Sequence, residues 1–383
     1  MRLRFAQEYP RGVFPAWGTV DLKGPYPTLP SQEDYTVITP NGETPIEEDI
    51  LTHRYHHHTQ VAVGAGRVWV AYTSSGTNED AGGQMGVVSS SPLQATLSFG
   101  PPVLVVPPQS TWSATGATWE AGTRCAFTRC FVPHDGDLYV VFGIDNMEGG
   151  NVNTGLALVA AKCNADGTVG GLFRITSQTY TPLSGFSSID YDATLGPALY
   201  PFAKLYGVHG GSSPSVTQSD WLGWTAQDGV NFTHPCTFPI DDDGGMVRLW
   251  RRVTNADNYL WGQVSRDGGA SWSKLVKTSI PDSPSCTAAI RMSDGRIAMV
   301  GNPHDNSVLR DPLYLAIFED LSKARIRLYA VRQGLSDTPT YAGMYKSGGA
   351  AYPGICEYDG HLYISYSMQK ETIGLTRVSI SAI

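Results

Sequence analysis

Along this chain, short runs of aromatic and β-branched residues follow turn dipeptides, and no long segment carries the i, i+3, i+4 apolar spacing of a helix. GRVWVAY (66–72), DGDLYVVF (135–142), NADNYLWGQV (255–264), DGRIAMVG (294–301) and DGHLYISY (359–366) are copies of one pattern, a turn and then a strand. ALYPFAKLYG (198–207) reads as a degenerate sixth copy. Spacings of roughly forty to seventy residues suit four-stranded blades with long, variable loops. The expected fold is therefore all-β, a single β-propeller domain over residues 1–383. At roughly fifty to fifty-five residues per blade, the length favours seven blades, with six as the alternative. Residues 1–45, rich in Pro and Gly, are expected to supply a strand that completes the last blade and removes an open edge.

One stretch is more polar than a structural hairpin needs. Residues 54–84 read RYHHHTQVAVGAGRVWVAYTSSGTNEDAGGQ. In an extended segment, alternation puts Tyr55, His57, Thr59, Val61 and Val63 on one face and His56, His58, Gln60 and Ala62 on the other. Only one of His57 and His58 should then point into a given site.

Composition narrows the partners. The net charge of -8 and pI near 5.6 oppose a nucleic-acid footprint, which needs concentrated basic surface. No apolar run approaches the roughly 18 residues of a membrane span, and MRLRFAQEYPRG has no signal-peptide h-region. A monomer without nucleic-acid or membrane partners is expected. The six cysteines show no CxxC spacing; Cys125 and Cys130 could bridge, but buried thiols are the simpler reading. The sequon at Asn231 is a weak sign of secretion. Asp241, Asp242 and Asp243 form an acidic turn that could hold calcium. No cofactor is required by these features, and a structural calcium or zinc ion is the most they would admit.

Ser265-Arg-Asp267-Gly-Gly269-Ala-Ser-Trp272 fits the S-x-D-x-G-x-x-W Asp-box, a structural turn in which Ser and Asp bond local backbone and Gly supplies positive φ. From residue 55 onward the motifs are linked: Tyr55-His56-His57-His58, then Glu79-Asp80-Ala-Gly-Gly-Gln84, Leu249-Trp250-Arg251-Arg252, the Asp-box, Thr278-Ser-Ile-Pro-Asp282-Ser, Gly301-Asn302-Pro303, Arg310-Asp-Pro-Leu313, Tyr352-Pro353, and Lys370-Glu371-x-Ile373. In this order they resemble the sialidase-like (BNR-type) propellers, in particular the seven-bladed L-rhamnosyl-glucuronate lyases and hydrolases, with ulvan lyases as more distant relatives. His56 stands where that group usually has Asn, and Thr59 where it commonly has Pro.

The resemblance implies an exo-acting lyase, extracellular or periplasmic, that cleaves a terminal sugar from a uronic-acid-containing glycan by β-elimination. Such chemistry needs a base for the C5 proton, a cationic partner for the carboxylate and a proton for O4. His57 and His58 are the base candidates, since neutral imidazole suits that role near neutral pH; stacking on Tyr55 or zinc ligation is the alternative. Arg251, Arg252 and Arg310 are the carboxylate-binding candidates, because a guanidinium meets both oxygens at once; at most one of the adjacent Arg251 and Arg252 should face a given site, and for Arg310, followed by Asp311-Pro312, a structural ion pair beside a turn competes. Glu79, Asp80, Gln84, Tyr55, Tyr352 and Lys370 are further substrate-binding candidates, against the plainer readings of a capped turn, blade packing and a solvated Lys370–Glu371 charge pair. His134, His209, Trp221 and Tyr366 are lesser candidates. A glycoside hydrolase on the same scaffold needs two flanking carboxyl groups, and a sialidase would add three arginines and an FRIP-type motif, which is not visible. A glycan-binding propeller without catalysis is the third class.

Overall fold

The computed structural model describes residues 25–47, 49–79, 84–107, 123–148, 151–177, 189–208, 224–252, 259–283, 285–302, 310–319, 326–344 and 346–383. Asp80, His209 and Trp221 lie outside them.

Among the described residues, the turn-then-strand pattern folds into five antiparallel sheets. The first blade is β2 (Tyr55–Gly64), β3 (Arg67–Ser75), β4 (Met85–Pro92) and β5 (Val103–Val106). In the second are β6 (Thr123–His134), β7 (Asp137–Glu148), β8 (Asn151–Cys163) and β9 (Phe173–Arg174). Five strands make the third: β10 (Trp224–Gln227), β11 (Val230–Pro239), β12 (Met246–Arg252), β13 (Tyr259–Ser265) and β14 (Val276–Pro281). The fourth has β15 (Ala288–Arg291), β16 (Ile297–Gly301), β17 (Leu313–Phe318) and β18 (Ile326–Arg332). In the fifth, β19 (Ala350–Tyr358), β20 (His361–Met368) and β21 (Thr372–Ser379) are joined by β1 (Glu33–Ile38), which pairs antiparallel with β21.

Five blades correct the expectation of seven or six. Among the described residues, no named strand lies in the connection between Arg174 and Trp224. That connection contains a helix, α1 (Leu195–Tyr206), where the sequence pattern had suggested a sixth strand repeat. Leu199 and Ala203, four apart, are its buried stripe, a helical spacing that aromatic content concealed. Asp192 Oδ1 accepts from the Thr194 and Leu195 backbone N–H groups at 2.8 Å each, opening the helix. α1 packs against β6 and β11, between the second and third blades.

The core lies between blades rather than within them, because the sheets bury their faces against one another and, at the second blade, against α1. Trp69, Val88, Val140 and Phe142 fill the first-to-second junction, Val247, Leu249, Met299 and Tyr314 the third-to-fourth, and Val300, Leu315, Ile364 and Val378 the fourth-to-fifth. Each such side chain contributes about 1.5–3 kcal/mol on burial. Gly86 is required by this packing, since a Cβ there would stand 2.7 Å from the Phe142 ring.

The Asp-box is the turn its sequence implies. Asp267 Oδ1 accepts from the Ser271 backbone N–H at 2.8 Å, Ser265 Oγ accepts from Gly269 N–H at 2.8 Å, and Trp272 Nε1 donates to Gly269 O at 3.0 Å. These bonds hold the Asp267 carboxyl at a pKa of about 2, and the Arg248 guanidinium covers the Trp272 ring at 4.1 Å. Cys125 and Cys130 are both buried free thiols.

Candidate functional site

In four blades the strands that reach the site carry a β-bulge. Between β2 and β3 the register runs His57↔Thr73 and then Gln60↔Ala71, so His58 and Thr59 together oppose one residue. The same slip leaves Arg129 extra in β6, His234 and Pro235 in β11, and Tyr352 and Pro353 in β19. At three of these bulges the backbone is left-handed, with φ of 54° at His58, 53° at His234 and 54° at Tyr352. Each such conformation costs a non-glycine residue about 1–3 kcal/mol and persists where surrounding bonds impose it. Here those bonds are visible: Thr59 Oγ1 donates to Tyr352 O at 2.8 Å, and Ser365 Oγ to Thr59 Oγ1 at 3.0 Å.

The bulge overturns the alternation expected for the histidines. Because His58 is inserted, His57 and His58 turn to the same side, with ring centroids 4.5 Å apart. Both meet Tyr352, at 4.1 and 5.0 Å, and His234 approaches the same ring at 5.6 Å. His56 faces away into a pocket with His53 and Tyr72, where burial pushes its pKa well down.

Tyr352 is the hub of the cluster. Arg251 Nη1 donates to its phenolic oxygen at 3.0 Å and stands 3.4 Å from His234 Nδ1, while the Arg310 guanidinium lies 5.1 Å above the ring. Arg310 is buried here; its neighbour Asp311 instead accepts from the Gly334 backbone N–H at 2.9 Å. Asn302 Nδ2 fixes the Arg310 backbone by donating to its carbonyl at 3.1 Å, and also to Ala350 O at 2.8 Å. Gly349, at φ 77°, is needed beside it, since a Cβ would come within 2.3 Å of Arg310 O.

On the opposite side of the histidines, Glu79 Oε1 lies 3.6 Å from His58 Nε2 and 3.9 Å from His57 Nε2, and its other oxygen accepts from the Lys370 ammonium. Asn78 Oδ1 holds the Glu79 loop by accepting from Met344 N–H at 2.8 Å. Lys370 and Glu371 are buried, not solvated, and do not pair with each other: Glu371 takes Lys346 at 2.9 Å.

Burial, and then the charges of His234, Lys370, Arg310 and Arg129, push the His58 pKa well below the ordinary value, so the ring is neutral. Its tautomer follows. The Thr73 hydroxyl donates to His57 O at 3.2 Å, so at the 3.0 Å contact with Thr73 Oγ1 it is His58 Nδ1 that donates. Nε2 therefore keeps its lone pair. Burial pushes the Tyr352 phenol up against the opposing pull of Arg251, so it keeps its proton.

His57, His58, Glu79, Arg251, Arg310, Tyr352 and Lys370 thus come together. Tyr55 stands behind them, edge-on to His57 at 5.9 Å. Gln84 bonds the next blade, its Nε2 donating to Ala126 O at 2.8 Å. Tyr366 is buried in its blade against Thr376, and His134 sits in a hairpin turn beside Asp135. Several members were not singled out from sequence: Arg129, bound to Asp145 at 3.0 Å, His234, Cys286 and Asp282. His234-Pro235 and Tyr352-Pro353 share a signal that could have found His234, because Pro inside a strand marks a bulge.

One donor atom each from His57, His58 and Glu79 lies within 4.8 Å of the others, a set of the right type for zinc. The Lys370 ammonium already occupies the Glu79 carboxylate, and an incoming ion would have to displace it. The carboxylates of the acidic turn are engaged as well: Asp241 accepts from the Asp243 and Gly245 N–H groups, and Asp242 pairs with Arg291 at 2.5 Å.

A family model described as a BNR repeat-like domain matches residues 204–364, which include the Asp-box. Among solved structures, one titled "Sialidase" is 20% identical with a TM-score of 0.70, and the alignment covers 94% of this chain but 34% of that one. Trypanosoma rangeli sialidase is 12% identical with a TM-score of 0.57, covering 91% of this chain and 59% of that one. A mutant of the same enzyme displaying trans-sialidase activity is 13% identical with a TM-score of 0.56, covering 93% and 60%. The chain thus shares the propeller fold of these sialidases and spans about a third to three fifths of their length. No curated protein sequence is significantly similar to it.

Proposed function

We propose that this protein is an exo-acting lyase that removes a terminal sugar from a uronic acid by β-elimination, in the manner of the rhamnosyl-glucuronate lyases. The observation that carries the reading is the two-arginine arrangement at Tyr352, with Arg251 on its hydroxyl and Arg310 above its ring, beside a histidine held neutral. Two guanidiniums suit a carboxylate and the negative charge that grows on it as C5 loses its proton.

In this mechanism His58 Nε2 takes the C5 proton. The C5–H electron pair becomes the C4=C5 double bond, the C4–O4 bond breaks, and the Tyr352 phenol protonates the departing oxygen. His57 packs against both the Tyr352 and His58 rings and keeps them in place. Glu79 and Lys370 offer an acceptor and a donor for sugar hydroxyls.

A glycoside hydrolase is the second reading, favoured by the sialidase-like fold and by Asp282, a buried carboxyl with a pKa of about 8 that could act as an acid. The test is incubation with glucuronate-containing oligosaccharides. A lyase makes the ultraviolet-absorbing 4,5-unsaturated uronate, whereas a hydrolase makes new reducing ends without that absorbance. Tight binding with neither product would leave a glycan-binding propeller. We also propose that the protein works as a monomer outside the cell; among the described residues no helix is long and apolar enough to cross a membrane.

A further inference from the structure

Asp282 follows β14 directly and takes no part in the elimination described above. It is 4% exposed, and its Oδ1 has no hydrogen-bond partner among the described residues. The Ser285 backbone N–H serves the carboxyl group. Two guanidiniums act on it by charge, Arg251 from β12 and Arg310 from the segment ahead of β17. Tyr314 on β17 and Cys286 ahead of β15 face it as well, both with pKa values raised well above the ordinary range by burial. The surroundings therefore hold two fixed positive charges and two neutral groups.

A buried carboxylate beside an arginine normally bonds it. Oδ1 bonds neither guanidinium, and Arg251 Nε is likewise buried without a partner among the described residues. As a carboxylic acid, Asp282 has a hydroxyl to donate, and Arg251 has an N–H to donate. Both groups lack the same thing, an acceptor. A carboxylate supplies several.

We propose that Asp282 is a further substrate-binding group, donating a hydrogen bond as the neutral acid to the uronate carboxylate that Arg251 and Arg310 hold. This rests on the uronate reading above and adds a third donor to it. A neutral donor strengthens the grip on a developing enolate without adding charge, whereas an ionised Asp282 would repel the substrate and neutralise the arginines. Burial lifts its pKa to about 8 against the pull of Arg251 and Arg310, so the acid form persists at neutral pH. Above that, affinity should fall by about tenfold per pH unit as one proton is lost.

The experiment is calorimetric titration of free D-glucuronate into the wild-type protein, Asp282→Asn and Asp282→Ala across neutral and alkaline pH. The amide of Asn donates like the acid but does not titrate. Wild-type affinity is expected to drop above about pH 8. Asp282→Asn is expected to bind within a few-fold of wild type at neutral pH and to lose the alkaline drop, with Asp282→Ala about tenfold weaker at neutral pH. The proposal is overturned by a wild-type affinity that stays flat with pH, by an alkaline drop that survives in Asp282→Asn, or by Asp282→Asn binding as poorly as Asp282→Ala. Wild-type protein that ignores glucuronate at every pH would overturn the uronate reading itself, and this proposal with it.

Discussion

Arg251 and Tyr352, 101 residues apart and on different blades, are joined by a 3.0 Å hydrogen bond from guanidinium to phenol. The bond fixes both the orientation of the proposed proton donor and the distance from donor to carboxylate binder. Tyr352→Phe should lower kcat about 10²–10⁴-fold, the usual range for a lost acid–base group. Arg251→Lys keeps the charge but loses the planar fork and should cost about tenfold to a hundredfold in kcat/KM on uronate substrates. Steady-state kinetics on both variants checks this; unchanged rates in Tyr352→Phe would remove the phenol from the mechanism.

His58→Ala should lower kcat by a similar about 10²–10⁴-fold while the thermal midpoint moves little, because the bulge is held by Thr59 and Ser365 rather than by the ring. Since the His58 pKa is depressed, the base stays unprotonated below the histidine reference of 6.5. The acid limb of the kcat/KM profile should therefore lie below that value. His57→Ala is expected to lose turnover as well, through misplacement of the two rings it packs against.

Glu79 and Lys370 form a buried ion pair across the first and fifth blades. Removing one partner leaves a buried charge, so Glu79→Gln or Lys370→Met alone should destabilise the fold by about 3–5 kcal/mol. The double variant should recover much of that loss. Urea unfolding of all three decides it, and a double variant no more stable than either single one would show that the pair carries no such coupling.

The raised pKa of Asp282 has a stability consequence with a definite sign. The unfolded chain releases this proton near the ordinary 3.8, whereas the folded protein holds it to about 8. Between those values the folded state binds more protons, so the contribution of Asp282 to stability is fully present at low pH and is lost as pH rises toward about 8. Asp282→Asn should therefore gain thermal stability relative to wild type across that window and no further above it. A difference in melting temperature that is the same at every pH would contradict a buried acid at this position.

Much of the ring was legible because a strand after a tight turn is a local signal. The clear copies of the pattern become β3, β7, β13, β16 and β20, one in each blade. The blade number went wrong when chain length was divided by an average, since the described residues of the connection carrying α1 form a helix and no named strand. ALYPFAKLYG misled for a related reason: its aromatic residues suit a strand, yet Leu199 and Ala203 meet the core with helical spacing. At the site, residue types were readable but facing was not. A bulge is a disagreement between two strands, and nothing in YHHHT alone says that His58 is the inserted residue. Asp282 was passed over because its chemistry comes from burial near Arg251 and Arg310, which belong to other segments of the chain.

The seam between β1 and β21 has a direction. Glu33 lies opposite Arg377 at one end and Ile38 opposite Ile373 at the other, close to Lys370. Because the strands run antiparallel, tension applied through the flanking chain at Glu33 and Ser379 would open the pair one rung at a time, like a zip, instead of loading all its rungs together. The first rungs to part are those farthest from Lys370. A protein tethered or fused through these two strand ends would thus fray at its remote margin while the Lys370 end of the seam still held.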